Sequence, residues 1–357
     1  MRPTVLEIDK NKFKNNIKKI KEYAKSKELL PIIKANAYGT YLNKELDIIN
    51  MFNIVGVAIV SEGVELRNIG YKKDILVINE PGLDETKDIV SNNLIIGLSS
   101  NEFLDKAIKE KLSIRVHLEI ETGMNRTGIK IDELEEFCKN IKKSNIIVEG
   151  IYSHLSSADD DKDYTNKQLD TFKKGIDIVK KFFNIKYIHI EASNGLLNYN
   201  VSYTNLIRPG IIMYGYESFK GSKKIIDTEE VATLKSRITF IKEIDANESV
   251  SYNRRFISKR KMKVATIPIG YADGFKRSLS NTGEVVINGK KAKILGSICM
   301  DSLMVDVTNI SCKVNDEVYL WDNKNITLDD IAKECDTINY EILCTIGERV
   351  PRVFIGG

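Results

Sequence analysis

The chain has 357 residues, of which 42% are hydrophobic, with 54 basic against 50 acidic side chains. That balance belongs to a globular protein and gives no case for nucleic acid or a membrane as partner. No apolar run approaches the roughly 18 residues that cross a bilayer, and the opening MRPTVLEIDKNKFKNN lacks a signal-peptide core, so a cytoplasmic location is expected.

From the start to about residue 215, short apolar runs alternate with polar-faced helical stretches. The runs are LLPIIKA, NIVGVAIV, DILVIN, LIIGLS, SIRVHLEIE, IIVEGIYSHL, IKYIHIEA and LIRPGIIMYG. Between several of them lie amphipathic segments such as KNKFKNNIKKIKEYAK, DELEEFCKNIKK and NKQLDTFKKGIDIVKKFF. Runs rich in Val and Ile and apolar throughout suit strands buried on both faces, hence a parallel sheet. About eight of them in regular alternation predict a closed (β/α)8 barrel rather than an open doubly wound sheet. No GxGxxG fingerprint follows the early strands.

Beyond about residue 230 the texture becomes β-rich, as in TLKSRITFIKEID, VATIPIGYADG and KAKILGSICMDSLMVDVT, with one helix-like segment, LDDIAKEC. The reading is a barrel over 1–230 and a mainly-β domain over 231–357, with the boundary segment at 215–232. Five dispersed cysteines without CxxC spacing suggest neither disulfides nor zinc, and His117, His154 and His189 form no ligand pattern, so no metal is expected.

Barrel enzymes build their sites from loops at the C-terminal ends of the strands. Reading those ends in order gives Lys34, Arg126, His154, Ser193 and Arg208, polar groups that the fold would aim at one mouth. Lys34 is fused to an apolar strand in PIIKANAYG with no acidic neighbour nearby in sequence. The bland reading is a strand-end lysine with its stem on apolar surface. The sharper reading is an amine whose pKa burial lowers so that it joins a carbonyl cofactor.

PIIKANAYG resembles the cofactor-lysine motif of the alanine racemases. ETGMNRTG, RPGIIMYG, the SYNRRF…IPIGYADG pair, and ICMDSLMVDVT followed by TINYE and RVPR agree in order and spacing across both domains. The resemblance implies pyridoxal phosphate (PLP), the barrel type of PLP fold, and a homodimer with shared active sites acting on a small amino acid. It makes Lys34 and Tyr252 the two opposite-face bases, with Tyr252 supplied by the partner subunit. His154 would polarise Tyr252, and Arg208 would face the pyridine nitrogen. Tyr38, Ser193, Tyr340 and the amides of Gly210 and Ile211 would hold the phosphate. Arg126 and the backbone at Met300 would meet the substrate carboxylate and the cofactor's phenolic oxygen. Tyr271, Arg277, Asp159 and Ile338 would line the entry corridor. Taken alone, Met300 reads as core, Ser193 and Gly210 as turn residues, and His154 as a packed strand histidine.

The chain departs from the family pattern in three places. Glu119 stands where many members carry a carbamylated lysine, and its carboxylate is expected to pair with Arg126 instead. Thr40 and Tyr41 replace a histidine and glycine after KANAYG. Ala192–Ser193–Asn194 replaces an Asn-Ser and looks closer to serine racemase domains, while Tyr340 favours alanine. Serine or broader specificity is the alternative. A PLP decarboxylase and a non-catalytic PLP carrier are further readings, and Tyr252 with GYADG argues against both.

Overall fold

The computed structural model describes residues 3–217 and 224–357. They form two compact units, one of Lys14–Ala37 with Tyr41–Thr228, the other of Met1–Phe13, Tyr38–Thr40 and Glu229–Gly357.

The chain opens with β1 (Val5–Asp9), which belongs to the second unit. The first unit contains β2 (Glu28–Leu29), β3 (Ile54–Val57), β4 (Asp74–Val77) and β5 (Ile95–Leu98). It continues with β6 (Arg115–Glu119), β7 (Ile147–Tyr152), β8 (Tyr187–His189) and β9 (Leu206–Ile207). Strands β3 to β8 pair in chain order, all parallel, and β9 pairs in parallel with β2. Backbone bonds join the two groups on both sides. Gly56 N donates to Pro31 O and Ile33 N to Gly56 O, each at 2.9 Å. Asn205 N donates to Ile188 O at 3.1 Å, and Arg208 N to Glu191 O at 2.9 Å. The ring is therefore closed, an α/β barrel as the alternation predicts. β3 and β5 are buried at every position, as a sheet covered on both faces requires. The three amphipathic segments become the helices Lys10–Ala24, Ile131–Ile141 and Lys162–Val179. Among the described residues, no helix is long and apolar enough to cross a membrane.

In the second unit a six-stranded sheet places β1 between Ala232–Arg237, antiparallel, and Arg352–Ile355, parallel. The sequence division assigns 1–230 to the barrel, whereas the structure gives the first strand to the β unit. The cause is legible in VLEID, which alternates, with Leu6 and Ile8 buried and their neighbours half-buried. That is the pattern of a sheet with one core face, not of a barrel strand. A second helix, Asn339–Cys344, follows Leu328–Glu334, and only the latter was expected from the sequence. The boundary segment at 215–232 lies partly outside the described residues.

GYADG and ICMD are stitched together within this unit. Tyr271 N donates to Cys299 O at 3.1 Å and Ala272 N to Met300 O at 3.0 Å. Gly270 permits the approach, because a Cβ there would lie 2.2 Å from Cys299 O and 2.4 Å from Met300 O. Gly270→Ala should therefore destabilise the unit by more than about 2 kcal/mol, measured as a lowered denaturant midpoint. An unchanged midpoint would show that this crossing is not tight.

Candidate active site

Lys34 follows the last backbone bonds of the first barrel strand and opens a turn of unusual hand. Ala35, Asn36 and Ala37 all sit near φ 52°, ψ 50°, and Tyr38 has φ 58°. L-residues disfavour this left-handed region by about 1–2 kcal/mol each, so the turn persists only where its surroundings hold it. Two of its bonds are Ala37 N to Ile33 O at 2.9 Å and Tyr41 N to Asn36 O at 2.8 Å. A third is the 2.6 Å bond from Ala35 N to the Glu62 carboxylate. Lys34 is exposed in this chain, so the barrel alone does not bury its amine as the sequence reading supposed.

Arg208 lies at the end of β9 with 2% of its surface exposed. Its Nη1 reaches His189 Nδ1 at 2.8 Å and His189 O at 3.1 Å. Its Nη2 reaches Ser153 O at 2.7 Å and His154 Nδ1 at 3.1 Å, and the guanidinium lies over the Tyr152 ring. His189 Nε2 in turn meets His117 Nδ1 at 2.8 Å. Two histidines thus meet one cation directly and the third, His117, is joined to it through His189. Sequence reasoning saw no ligand pattern in His117, His154 and His189, and the signal it missed was a buried histidine on each of two barrel strands.

The proton positions follow from the donors. A guanidinium only donates, so His189 Nδ1 and His154 Nδ1 must accept. His189, if neutral, carries its proton on Nε2 and donates to His117, whose own proton then sits on Nε2. That Nε2 is buried and has no partner among the described residues. Neutrality follows from burial. It holds His117 and His154 each down to about 3 and pushes His189 well down, with Arg208's charge adding to all three. Arg126 and Lys34 add a smaller effect at His154. Burial also lowers Arg208 to about 10, which leaves it charged at neutral pH. His154 therefore has a single proton to offer, on Nε2.

The Ser193 hydroxyl accepts the Gly210 amide at 3.1 Å, and Ile211 opens the 3₁₀ turn Ile211–Tyr214, where the first amides have no intrahelical acceptor. Lysine, hydroxyl, amides and a charged guanidinium on one barrel fit the cofactor implied by the resemblance. The amine suits its carbonyl, the hydroxyl and amides its phosphate, and the arginine its ring nitrogen.

Arg126 is exposed in a loop that Glu121 ties down by accepting the amides of Gly123 and Asn125. The pairing expected between Glu119 and Arg126 is not made. Among the described residues Arg126 forms no ion pair, and Glu119 is buried, with a pKa raised by desolvation. The Thr127 hydroxyl and the fields of Arg126 and Arg208 oppose that rise. Glu119 is the last residue of strand β6 and is buried there. Asp159 is exposed.

In the β unit, Tyr38 and Tyr340 lie ring to ring, 6.0 Å between centroids, and Tyr38's hydroxyl is pushed well up, first by burial and then by Tyr340. Tyr252 is 68% exposed on a tight loop between Ser249–Val250 and Phe256–Ile257. Ser251, Asn253 and Arg254 there have positive φ. Ser251 Oγ donates to Ser297 O, and Ser297 Oγ to Tyr252 O at 3.3 Å. The loop thus presents a phenol on a fixed backbone. Met300 is half exposed rather than core, and Tyr271, Arg277 and Ile338 are also exposed.

Two family models match the chain, "Alanine racemase, N-terminal domain" over residues 8–218 and "Alanine racemase, C-terminal domain" over residues 231–354. Alanine racemase 1 of Clostridium acetobutylicum is 37% identical over 370 aligned positions, covering 99% of this chain and 96% of the relative. Alanine racemase of Halothermothrix orenii is 36% identical, covering 100% of this chain and 98% of the relative. Among solved structures, alanine racemase of Clostridium difficile 630 superposes with a TM-score of 0.93 at 32% identity, covering 99% of this chain and 96% of that one. Alanine racemase from Bacillus anthracis with bound L-Ala-P gives 0.93 at 30% identity, covering 100% and 96%.

The neutral histidines have a consequence for stability. An unfolded chain protonates His117 as pH falls through its ordinary value of 6.5, while the folded one does not until about 3. The stability is thus complete above pH 6.5 and lost on acidification, by about 2 kcal/mol at pH 5 from this residue alone. Denaturant unfolding at pH 7 and pH 5 should show a smaller decline in His117→Gln than in the wild type. Equal declines would place a charged His117 in the folded state.

Proposed function

This chain belongs to the alanine racemase family, and we propose that its catalysis runs between Lys34 of one subunit and Tyr252 of a second copy in a homodimer. It is a PLP-dependent amino-acid racemase that interconverts the enantiomers of alanine. Bound PLP supplies the conjugated electron sink that acidifies the substrate's α-carbon. Racemisation then needs one proton taken from one face of that carbon and one returned to the other.

Lys34 serves one face and the Tyr252 phenol the other. A free tyrosine has a pKa near 10, so it acts as a base only where its phenolate is stabilised. His154 supplies that stabilisation, since Arg208 occupies its Nδ1 and leaves Nε2–H as its one donor. Arg208 stays charged and can only donate, so it would hold the cofactor's ring nitrogen by donating to it and would yield it no proton. Ser193, Gly210, Ile211, Tyr38 and Tyr340 hold the phosphate. Arg126 and the backbone at Met300 meet the carboxylate and phenolic oxygen, and Tyr271, Arg277, Asp159 and Ile338 line the entry. The observation that carries this reading is the arginine clamped between two histidine nitrogens that can only accept.

The exposure of Tyr252 on a fixed loop supports its delivery to a second copy. The five free cysteines suit a reducing cytoplasm, where the product would supply D-alanine to cell-wall precursors.

Tyr252→Phe should lower racemisation by about 10²–10⁴-fold while the visible absorbance of bound PLP survives. Retained turnover would remove Tyr252 from the mechanism. With wild type, loss of optical activity should be faster for L-alanine than for L-serine, L-lysine or L-arginine. Faster loss with serine would shift the preferred substrate and point to Tyr41 and Asn194.

A further inference from the structure

We propose that Glu62 is a positioning residue for Lys34, acting through the left-handed turn that Lys34 opens. This rests on the reading of Lys34 as a base.

The ladder between the first barrel strand and β3 ends with Ile33 N donating to Gly56 O at 2.9 Å. Beyond that point the two chains diverge, one into the left-handed turn and the other into the helix Val60–Asn68. The divergence leaves two backbone donors, Ala35 N–H and Ala58 N–H, without a carbonyl across from them. Glu62, in the first turn of that helix, accepts both. Its Oε1 lies 2.6 Å from Ala35 N and its Oε2 lies 2.7 Å from Ala58 N. The helix has no side-chain cap at Ile59, so Glu62 reaches back past the cap position to do this.

A carboxylate is the side-chain group that meets two facing N–H donors with two acceptors. Glutamine offers one acceptor and sets its NH₂ against the other amide. Alanine offers none. Losing the clamp frees the backbone immediately after Lys34, where three L-residues hold a conformation they would otherwise leave. The lysine amine then samples positions away from the α-carbon, while Tyr252, on a separate loop, is untouched.

The consequence is one-sided. Exchange of the α-hydrogen with solvent deuterium, followed by NMR, is to be measured on holoenzyme from D-alanine and L-alanine separately. Wild type should exchange both, and Tyr252→Phe should retain exchange of one enantiomer only. Glu62→Gln should lose exchange of that same enantiomer on the order of 10- to 100-fold, as a small misplacement of a catalytic group does, and keep the other. Glu62→Asp, charged but shorter, should fall between. Hydrogen–deuterium exchange at the Ala35 and Ala58 amides of the holoenzyme should rise in Glu62→Gln. Equal loss from both enantiomers, or none, or unchanged protection of those amides, would overturn the proposal. If Tyr252→Phe itself shows no asymmetry, the two-base reading fails instead.

Discussion

A guanidinium with almost no access to water, ringed by neutral imidazoles, is the constraint on which the barrel's chemistry depends. Burying a cation is costly unless every donor finds an acceptor. The two terminal nitrogens of Arg208 meet that demand without a carboxylate, using backbone oxygens of Ser153, His189 and Ile190 together with two imidazole nitrogens. The choice of partner matters. A carboxylate would neutralise the cation, whereas neutral acceptors leave its full charge in place. Burial keeps the histidines neutral and the same charge adds to it, so each half of the arrangement supports the other.

The order of protons that results is directional. Arg208 donates outward to His189, His189 to His117, and the final Nε2–H ends in a buried site with no acceptor among the described residues. An unsatisfied donor of this kind costs stability, and it lies at the far end of a chain of bonds whose near end is Arg208. Tyr152 stacks on His189 with its ring plane within 6°, and its hydroxyl donates to Ile78 O, which fixes the imidazole between strands. The left-handed turn after Lys34 is the second place where local backbone preference yields to the site, held there by bonds that Ile33 O, Asn36 O and the Glu62 carboxylate accept.

Much of this was legible in the sequence. Apolar runs of Val and Ile separated by amphipathic helices specify a parallel barrel by burial alone, and the motif residues resemble the racemase family closely enough to name the lysine and tyrosine. What was not legible depends on distance in space. Nothing in VHLEIE or YIHIEA tells that His117 and His189 touch, because strands β6 and β8 are separated by another strand in chain order. Glu62 looks like an ordinary first-turn acid until the neighbouring strand end is placed beside it. The alternation in VLEID did carry the signal that β1 belongs to the β unit. Glu119 illustrates the opposite error, in which matching charge suggested a pair with Arg126 that the structure does not make.

The most direct test is nitrogen-15 NMR of the three histidines in the holoenzyme from pH 5 to pH 8. Each imidazole should remain neutral throughout, with its proton on Nε2 and an unprotonated Nδ1. A histidine that titrates near 6.5, or a proton found on Nδ1 of His189 or His154, would mean that Arg208 is not held as described and would contradict the account.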